Sequence, residues 1–402
     1  MKTQIITEDI EQAAAVIRSG GLVAVPTETV YGLAGNGLNA DAVAQIYNVK
    51  GRPAIKPLSL MVPDETAMDR YCLQVPAQAR KLAEKFWPGP LTIILEAKAF
   101  IPEIVLAGGT TVGLRCPDHP LTLALLRACD VPLAAPSANP SGEASPKDAE
   151  TVQAYFDGRI EAIIDGGPCG IGKESTILDM TAAPYKVLRQ GALPANEIAD
   201  CLADDLILVG VTGGSGAGKT TALKTWEALG ALVIDCDAVY HALIAENADM
   251  LGEIEEAFPG VSVDGRLDRK RLGSRVFSDS AALQKLNRIT HKFVLARVQE
   301  LLRDYAMQGG RCAVLDAIEL FSSGMASRCN TTIAVVAERE KRIERIMARD
   351  KISRAYAEAR IDAQYSDAYF RDHCTYVLQN NADPDQFQSN CRQLFKEIIK
   401  NG

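Results

Sequence analysis

Gly213-Gly214-Ser215-Gly216-Ala217-Gly218-Lys219-Thr220 is the stretch that decides the fold of the second half of this chain. It satisfies G-x-x-x-x-G-K-[ST], follows an apolar run at 206–211 and precedes a helix-forming run at 221–229. The glycines let successive backbone N–H groups face a phosphate, and the helix N-terminus adds a dipole that favours negative charge. The stretch predicts a nucleotide site in which Lys219 bridges the β- and γ-phosphates and Thr220 ligates magnesium.

Carboxylates follow the neighbouring predicted strands. The run 231–235 leads into Asp237, and the run 312–315 leads into Asp316. Open α/β sheets bind ligands at the carboxyl ends of their strands, so Asp237 is a candidate to orient or deprotonate an attacking hydroxyl. A helix N-cap for residues 238–245 is the structural alternative for Asp237.

Length and composition predict two folded domains. A chain of 402 residues exceeds what one hydrophobic core usually serves, and apolar runs alternate with helical patterns, as in α/β folds. We place the boundary near 205, giving domains 1–204 and 205–402. The net charge of −8 gives no global reason for stable nucleic-acid binding, and the sequence shows no secretory signal or membrane-length apolar run. The sequence therefore predicts a cytoplasmic protein without a membrane partner.

The second half resembles the dephospho-CoA kinase family over nearly all of 206–402. The resemblance rests on the glycine-rich loop, the sequence VIDCD at 233–237, and the runs 267–277 and 286–291. It implies a P-loop kinase with a parallel sheet and a helical lid that uses ATP and Mg²⁺ to phosphorylate the ribose 3′-hydroxyl of dephospho-CoA. It also implies the site residues: Asp237 as acceptor-side base, His291 and Asp316 in the acceptor pocket, and Arg345 and Arg349 as lid arginines.

Two features of this half keep alternatives open. Arg345 and Arg349 lie four residues apart on a predicted helix at 338–350, which also fits a solvated face with intrahelical ion pairs. On the acceptor side, the chain has Lys292 where the family usually has proline, and reads Asp-Ala-Ile-Glu-Leu-Phe-Ser at 316–322 instead of Asp-x-Pro-Leu-Leu/Phe-Glu. Glu319 is a candidate replacement for the missing glutamate, and a kinase with another acceptor remains possible.

The first half lacks a P-loop but contains other polar loops. Lys50, Arg52 and Lys56 concentrate positive charge, which fits either an anion site or an ordinary solvated turn. With TETVYGL at 27–33, S-x-N at 137–139 and ESTI at 174–177, the K-x-R pattern at 50–52 is similar to the YrdC/TsaC family of L-threonylcarbamoyladenylate synthases over about 5–200.

This resemblance implies a twisted YrdC-like α/β domain that converts L-threonine, bicarbonate and ATP into threonylcarbamoyl-AMP and pyrophosphate. The product would pass to a complex that modifies adenosine 37 of certain tRNAs, with magnesium as counterion. Lys50 and Arg52 would neutralise phosphate charge as pyrophosphate leaves. The remaining implied residues are Ser137, Asn139, Ser175 and Arg189 for the nucleotide, and Thr27, Thr29, Tyr31 and Arg115 for threonine.

The sequence as a whole thus predicts a bifunctional enzyme, a nucleotidyltransferase followed by a phosphotransferase. The alternative is a P-loop small-molecule kinase joined to a non-catalytic YrdC-like module that binds RNA or a nucleotide.

Overall fold

The computed structural model describes residues 2–263, 266–381 and 383–401. The chain divides into two units, the first running to Asp204 and including Met307–Gly309, the second comprising Asp205–Ala306 and the residues from Gly310 onward. None of the helices in the described ranges is both long and apolar enough to cross a bilayer.

The first unit contains ten strands and eight helices among its described residues. The strands are β1 (Gln4–Ile6), β2 (Val23–Val25), β3 (Gly32–Asn36), β4 (Leu60–Met61), β5 (Leu91–Glu96), β6 (Thr111–Arg115), β7 (Leu133–Ala134), β8 (Ala162–Ile164), β9 (Thr176–Asp179) and β10 (Lys186–Arg189). The helices are α1 (Ile10–Arg18), α2 (Ala40–Lys50), α3 (Ala67–Tyr71), α4 (Ala77–Phe86), α5 (Glu103–Leu106), α6 (Pro120–Cys129), α7 (Ala149–Phe156) and α8 (Ala195–Asp204).

These strands form one mixed sheet in the order β1-β8-β2-β3-β7-β4-β6-β5-β9-β10. Pairing is parallel for β1 with β8 and for β5 with β9, and antiparallel for β2 with β3 and for β5 with β6. Helices α1 and α6 pack their apolar faces over β1, β2 and β8, forming a core that includes Ile17, Val25, Leu125 and Ile164. The loops that follow β2, β7 and β8 and the end of α2 carry the polar motifs of this unit.

The second unit is built on a different sheet. Its strands are β11 (Ile207–Thr212), β12 (Leu232–Asp235), β13 (Ser262–Val263), β14 (Arg266–Leu267), β15 (Cys312–Asp316), β16 (Thr331–Val336) and β17 (Tyr376–Gln379). Its helices are α9 (Lys219–Glu227), α10 (Cys236–Glu246), α11 (Ala248–Ala257), α12 (Arg269–Val276), α13 (Ser280–Met307), a 3₁₀ turn (Met325–Arg328), α14 (Arg339–Asp350), α15 (Arg354–Asp362), α16 (Asp367–His373) and α17 (Pro384–Asn401).

Five of these strands form a wholly parallel sheet in the order β12-β15-β11-β16-β17. The central strand β11 is buried along its length, which explains why its sequence is continuously apolar rather than alternating. Helices α9 and α17 cover one face, where the buried Trp226 indole donates a hydrogen bond to the Cys391 carbonyl at 2.9 Å. The predicted α/β class is confirmed in both units, including the parallel sheet of the second.

Helices α10 to α13 build a separate apolar cluster beside that sheet, with a core that includes Met250, Ile254, Leu272 and Leu286. Helices α14 to α16 form the predicted helical lid, since α14 and the segment before α16 contact the glycine-rich loop directly.

Candidate active sites

The glycine-rich loop connects β11 to α9, as its sequence predicts. Gly213 has φ +141° and Gly218 has φ +106°, backbone conformations that side-chain-bearing residues rarely adopt. A Cβ atom on Gly213 would lie 2.2 Å from the Val335 carbonyl oxygen, and one on Gly218 would lie 2.0 Å from Nδ2 of Asn380. Glycine is therefore required at both positions by the backbone and by its neighbours.

Lys219 lies where the loop enters α9, with its Nζ 3.0 Å from the Gly213 carbonyl oxygen and 3.7 Å from Oδ1 of Asp316. Thr220 follows it and is exposed. Burial raises the pKa of Asp316, although the nearby Lys219 ammonium opposes the shift. Among the described residues, Oδ1 of Asp316 is a buried oxygen without a hydrogen-bond donor. A partly desolvated carboxylate thus faces the phosphate-loop lysine.

Two further aspartates lie at the same sheet edge. Asp235 pairs in register with Asp316 across β12 and β15, and its side chain caps α10 by accepting a hydrogen bond from the Ala238 N–H at 2.9 Å. The alternative that Asp237 caps this helix is therefore wrong, because α10 begins one residue before it. Partial desolvation and the charge of Asp235 raise the pKa of Asp237.

The histidine that influences the pKa of Asp237 is His241, one helical turn further along α10, which acts to lower that pKa. Sequence reasoning missed it, although the i, i+4 spacing on a helix was available as a signal. The predicted acceptor-pocket residue His291 lies half-buried on α13, and its neighbour Lys292 pairs with Glu253 of α11 at 2.5 Å.

The lid contacts the phosphate loop through arginines of α14. Arg345 donates hydrogen bonds to the carbonyl oxygens of Gly216 at 3.2 Å and of Asn380 at 3.1 Å. Arg342, which the sequence analysis did not single out, donates to the Ser215 carbonyl at 3.0 Å and pairs with Asp367 at 2.9 Å. Its spacing of three from Arg345 would have identified the same helix face.

Arg349 behaves differently from Arg345. It pairs with the adjacent Asp350, which also accepts from Arg360, and all three lie away from the contacts that hold the loop. In the structure Arg345 and Arg342 contact the loop, because α14 meets it one turn before Arg349; a role of Arg349 as a lid arginine stays a prediction. Gln364 completes the contact, accepting from the Ser215 N–H at 2.8 Å and donating to its hydroxyl at 2.9 Å.

The first unit contains a cavity of about 210 Å³. Six of the predicted site residues line it, namely Tyr31, Arg52, Arg115, Ser137, Ser175 and Arg189. Residues that sequence reasoning did not assign also line it, including Ser59, Thr92 and Glu174. Thr92 shares a hydrogen bond with Ser175 at 2.9 Å.

The other four predicted site residues of this unit are buried and do not line the cavity, namely Lys50, Asn139, Thr27 and Thr29. The Lys50 ammonium donates to the carbonyl oxygens of Ser137 and Asn139, so it holds the S-x-N loop rather than facing open space. Burial, helped by the charge of Arg52, lowers the pKa of Lys50 to about 8.

Arg115 is fixed on three sides. Its guanidinium pairs with Glu28 at 2.8 Å, donates to the Thr29 hydroxyl at 2.9 Å and donates to the Gly89 carbonyl at 3.2 Å. Thr27 in turn shares a hydrogen bond with Thr29 at 2.9 Å. The TET segment therefore orients an arginine toward the cavity, and Glu28 is the partner that sequence reasoning missed.

Tyr31 closes another part of the wall. Its hydroxyl donates to the Gly167 carbonyl at 2.8 Å and accepts from the Gly166 N–H at 3.2 Å, and burial raises its pKa to about 12. The tyrosine is thus a neutral hydrogen-bonding group at physiological pH.

The cavity is electropositive, with one carboxylate among its lining residues. Burial lowers the pKa of Arg189, with Arg115 and Arg52 adding to the shift and Glu174 opposing it, so these charges converge. A hydrogen bond from Ser145 at 2.6 Å holds the pKa of Glu174 below its usual range, which keeps it ionised. Such a site favours the binding of a polyanionic ligand, and Glu174 offers that ligand one negatively charged hydrogen-bond acceptor.

The first unit matches a family of known proteins. Residues 15–191 match the family model described as Telomere recombination, which represents the Sua5, YciO and YrdC proteins. A protein from Methanocaldococcus jannaschii named "Putative threonylcarbamoyl-AMP synthase" is 38% identical over 185 residues, covering 46% of this chain and 86% of the relative. The chain belongs to the Sua5/YciO/YrdC family.

Longer members of the family are also similar. "Threonylcarbamoyl-AMP synthase" of Pyrococcus abyssi is 44% identical over 206 residues, covering 51% of this chain and 61% of the relative. The protein of the same name from Bacillus subtilis is 48% identical over 191 residues, covering 47% and 55%. The chain therefore spans little more than half the length of these two family members.

The second unit matches a different family model. Residues 207–386 match the family model described as Dephospho-CoA kinase. Both resemblances inferred from sequence motifs are thereby confirmed. Among solved structures, Sua5 of P. abyssi complexed with L-threonine is 28% identical with a TM-score of 0.49, covering 82% of this chain and 96% of that chain. Dephospho-CoA kinase from Campylobacter jejuni is 25% identical with a TM-score of 0.33, covering 48% and 98%.

Proposed function

We propose that residues 1–204 form an L-threonylcarbamoyladenylate synthase and residues 205–402 form a dephospho-CoA kinase, so that one chain performs two ATP-dependent reactions. The matches of the two units to the two family models support this function. The observation that carries it is the pairing of an intact phosphate loop in one unit with a cavity lined by three arginines in the other.

In the kinase reaction, Lys219 would bind the β- and γ-phosphates, while loop N–H groups surround them. Asp237 would orient the ribose 3′-hydroxyl of dephospho-CoA and accept its proton, a role that its raised pKa favours. The new bond joins that oxygen to the γ-phosphorus as the bond to the β-phosphate oxygen breaks, releasing ADP. His291 and Asp316 would belong to the acceptor pocket, and Arg345 would stabilise phosphate charge from the lid. Arg349, four residues further along α14, would act with Arg345 as the second lid arginine.

Magnesium fits this site. The buried Oδ1 of Asp316 lacks a donor among the described residues, and the Thr220 hydroxyl is exposed beside Lys219. Thr220 and Asp316 would hold the ion, which would neutralise charge between the phosphates.

In the synthase reaction, the threonine amine and bicarbonate would condense to a carbamate with loss of water. A carbamate oxygen would then attack the α-phosphorus of ATP as the bond from that phosphorus to pyrophosphate breaks and pyrophosphate leaves. Arg52 and Arg189 would neutralise charge on the phosphates, and Ser137 and Ser175 would hydrogen-bond the nucleotide. Asn139 would act on the nucleotide through Ser137, whose hydroxyl donates a hydrogen bond to the Asn139 Oδ1. Arg115 would bind the threonine carboxylate, with Thr27, Thr29 and Tyr31 shaping that side. Lys50 would act through the S-x-N loop that it holds. The adenylate would then pass to a tRNA-modifying transfer complex.

The kinase proposal is tested by coupled measurement of ADP release with dephospho-CoA. Lys219→Ala and Asp237→Asn should each abolish turnover, whereas Lys224→Ala, which removes an exposed lysine of the same helix, should not. Full activity in either site variant would refute the assignment. ADP release that requires an acceptor other than dephospho-CoA would show that the altered segment 316–322 serves a different substrate.

The synthase proposal is tested with labelled bicarbonate, L-threonine and ATP. Labelled threonylcarbamoyl-AMP should form with the unaltered chain and disappear in Arg52→Ala, while Arg70→Ala, an exposed arginine of α3, should retain it. Failure of the unaltered chain to form the adenylate, with nucleotide binding intact, would favour the non-catalytic binding module.

A further inference from the structure

Three aromatic rings form a stack along one side of α16 and the turn before it. Tyr365 stacks on Tyr369 with ring centroids 4.3 Å apart and planes 15° apart, and Tyr369 stacks on His373 at 4.0 Å and 27°. Their spacing of four residues places them on one helix face. Phe321 packs edge-on against Tyr369 and His373, at 6.3 Å and 5.5 Å, and so supports the stack from the loop after β15.

The ring at the end of this stack borders a cavity. Tyr365 is 46% exposed although one of its faces is covered by Tyr369. The adjacent cavity has a volume of about 410 Å³, and its lining includes Gly213, Gly214, Ile318, Glu319 and Gln364. This volume suffices for a heterocyclic base. An exposed apolar side chain, Ile318, and a carboxylate, Glu319, therefore share this space with an aromatic face.

The charges indicate which substrate enters this cavity. Lys219 and Asp316 mark the end of the loop where the γ-phosphate would be transferred. Glu319 follows Asp316 by three residues at the end of β15, which pairs with β12, the strand that leads into Asp237, so the cavity that Glu319 lines lies on the acceptor side. Arg345 instead contacts the Gly216 and Ala217 carbonyls and Asn380, in the part of the loop next to α9.

We propose that Tyr365 is a stacking platform for the purine base of the nucleotide that accepts the phosphate. The supporting rings hold Tyr365 flat and limit its rotation, so little side-chain entropy remains to be lost on binding. Ile318 would contact the base, and Glu319 would accept a hydrogen bond from an exocyclic amino group. This inference rests on the proposed kinase function and specifies how that site recognises its acceptor.

The inference is tested by steady-state kinetics with dephospho-CoA and ATP varied in turn. Tyr365→Leu should raise KM for dephospho-CoA roughly 5- to 150-fold, the range expected when one stacked base loses its aromatic partner. Tyr365→Phe keeps the ring and should retain the original KM. Tyr356→Leu, a 65% exposed tyrosine on α15, is the matched control and should behave as the unaltered chain. KM for ATP should stay constant in all three variants and thereby report an intact loop and lid.

Several results would overturn the inference. An unchanged KM for dephospho-CoA in Tyr365→Leu would do so while leaving the proposed kinase function in place. A rise in KM for ATP would show that the base of the donor occupies the cavity. Equal losses in Tyr365→Phe and Tyr365→Leu would assign the effect to the hydroxyl. Absence of dephospho-CoA phosphorylation by the unaltered chain would remove the proposed function and this inference with it.

Discussion

Replacing Arg342 by methionine removes the charged contact between the lid and the phosphate loop while keeping an apolar stem of similar length. The Arg342 side chain is 5% exposed, pairs with Asp367 at 2.9 Å and donates to the Ser215 carbonyl at 3.0 Å. Its guanidinium also packs against Gly214, where a Cβ atom would lie 2.1 Å from Nη2. We expect the Arg342→Met variant to fold and its lid to open more often.

The size of the effect follows from the exposure of the partner. Removing one member of a fully buried pair costs about 3–5 kcal/mol, and a hydrogen bond to a charged group contributes about 1.5–3 kcal/mol. Asp367 is 32% exposed, so water can rehydrate its carboxylate after the substitution. The lower range therefore applies, and about 2 kcal/mol of lid stability should be lost, which corresponds to about 30-fold more frequent opening.

Hydrogen exchange read by mass spectrometry measures this opening directly. Amides of α14 to α16 should exchange about 30-fold faster in Arg342→Met, whereas β11 and α17 should keep their protection. Arg339→Met is the matched control, because Arg339 also joins α14 to a lid aspartate, Asp362, but the two side chains are 50% and 60% exposed. That pair should contribute at most about 1 kcal/mol. Equal exchange in the two variants would refute the reasoning from burial.

Three further changes give distinct readouts. Asp235→Asn keeps the helix cap but removes the like charge that helps raise the pKa of Asp237. The acid limb of the kinase pH–rate profile should therefore move to lower pH, and an unmoved limb would exclude Asp237 as the titrating base. Gly213→Ala should destabilise the second unit by more than about 2 kcal/mol in thermal unfolding, whereas Gly252→Ala, in open space on a helix, should stabilise it by about 0.5–1 kcal/mol. Glu28→Gln should raise the synthase KM for threonine more than the KM for ATP, because the Arg115 guanidinium, proposed to bind threonine, loses its ionic partner. A larger rise in the KM for ATP would contradict the assignment of Arg115 to threonine.

The sequence predicts the phosphate loop well because its chemistry is local. Strand, glycines, lysine and helix are consecutive, and the positive φ values at Gly213 and Gly218 occur where the motif requires them. The carboxylates at the ends of β12 and β15 are also predictable, because parallel strands bring their carboxyl ends to one edge. The first residue of a helix is harder to predict. Helix α10 begins two residues earlier than the sequence indicates, so its N-cap is Asp235 and not Asp237.

The sequence does not predict the direction in which each of these side chains points. Arg342, Arg345 and Arg349 all fit one face of α14, and their different partners depend on where the helix meets the loop. Lys50 matches a phosphate-binding motif, yet its ammonium is buried against two carbonyl oxygens contributed by a loop almost ninety residues away. Such contacts are set by tertiary packing, which no local pattern encodes.

Two independent ATP-dependent sites should reside in this one chain. Both reactions should be measured on the same preparations of Lys219→Ala and Arg52→Ala. We expect Lys219→Ala to lose ADP release with dephospho-CoA and keep threonine- and bicarbonate-dependent pyrophosphate release, and Arg52→Ala to show the reverse. Loss of both activities in either variant, or persistence of both, would contradict the account.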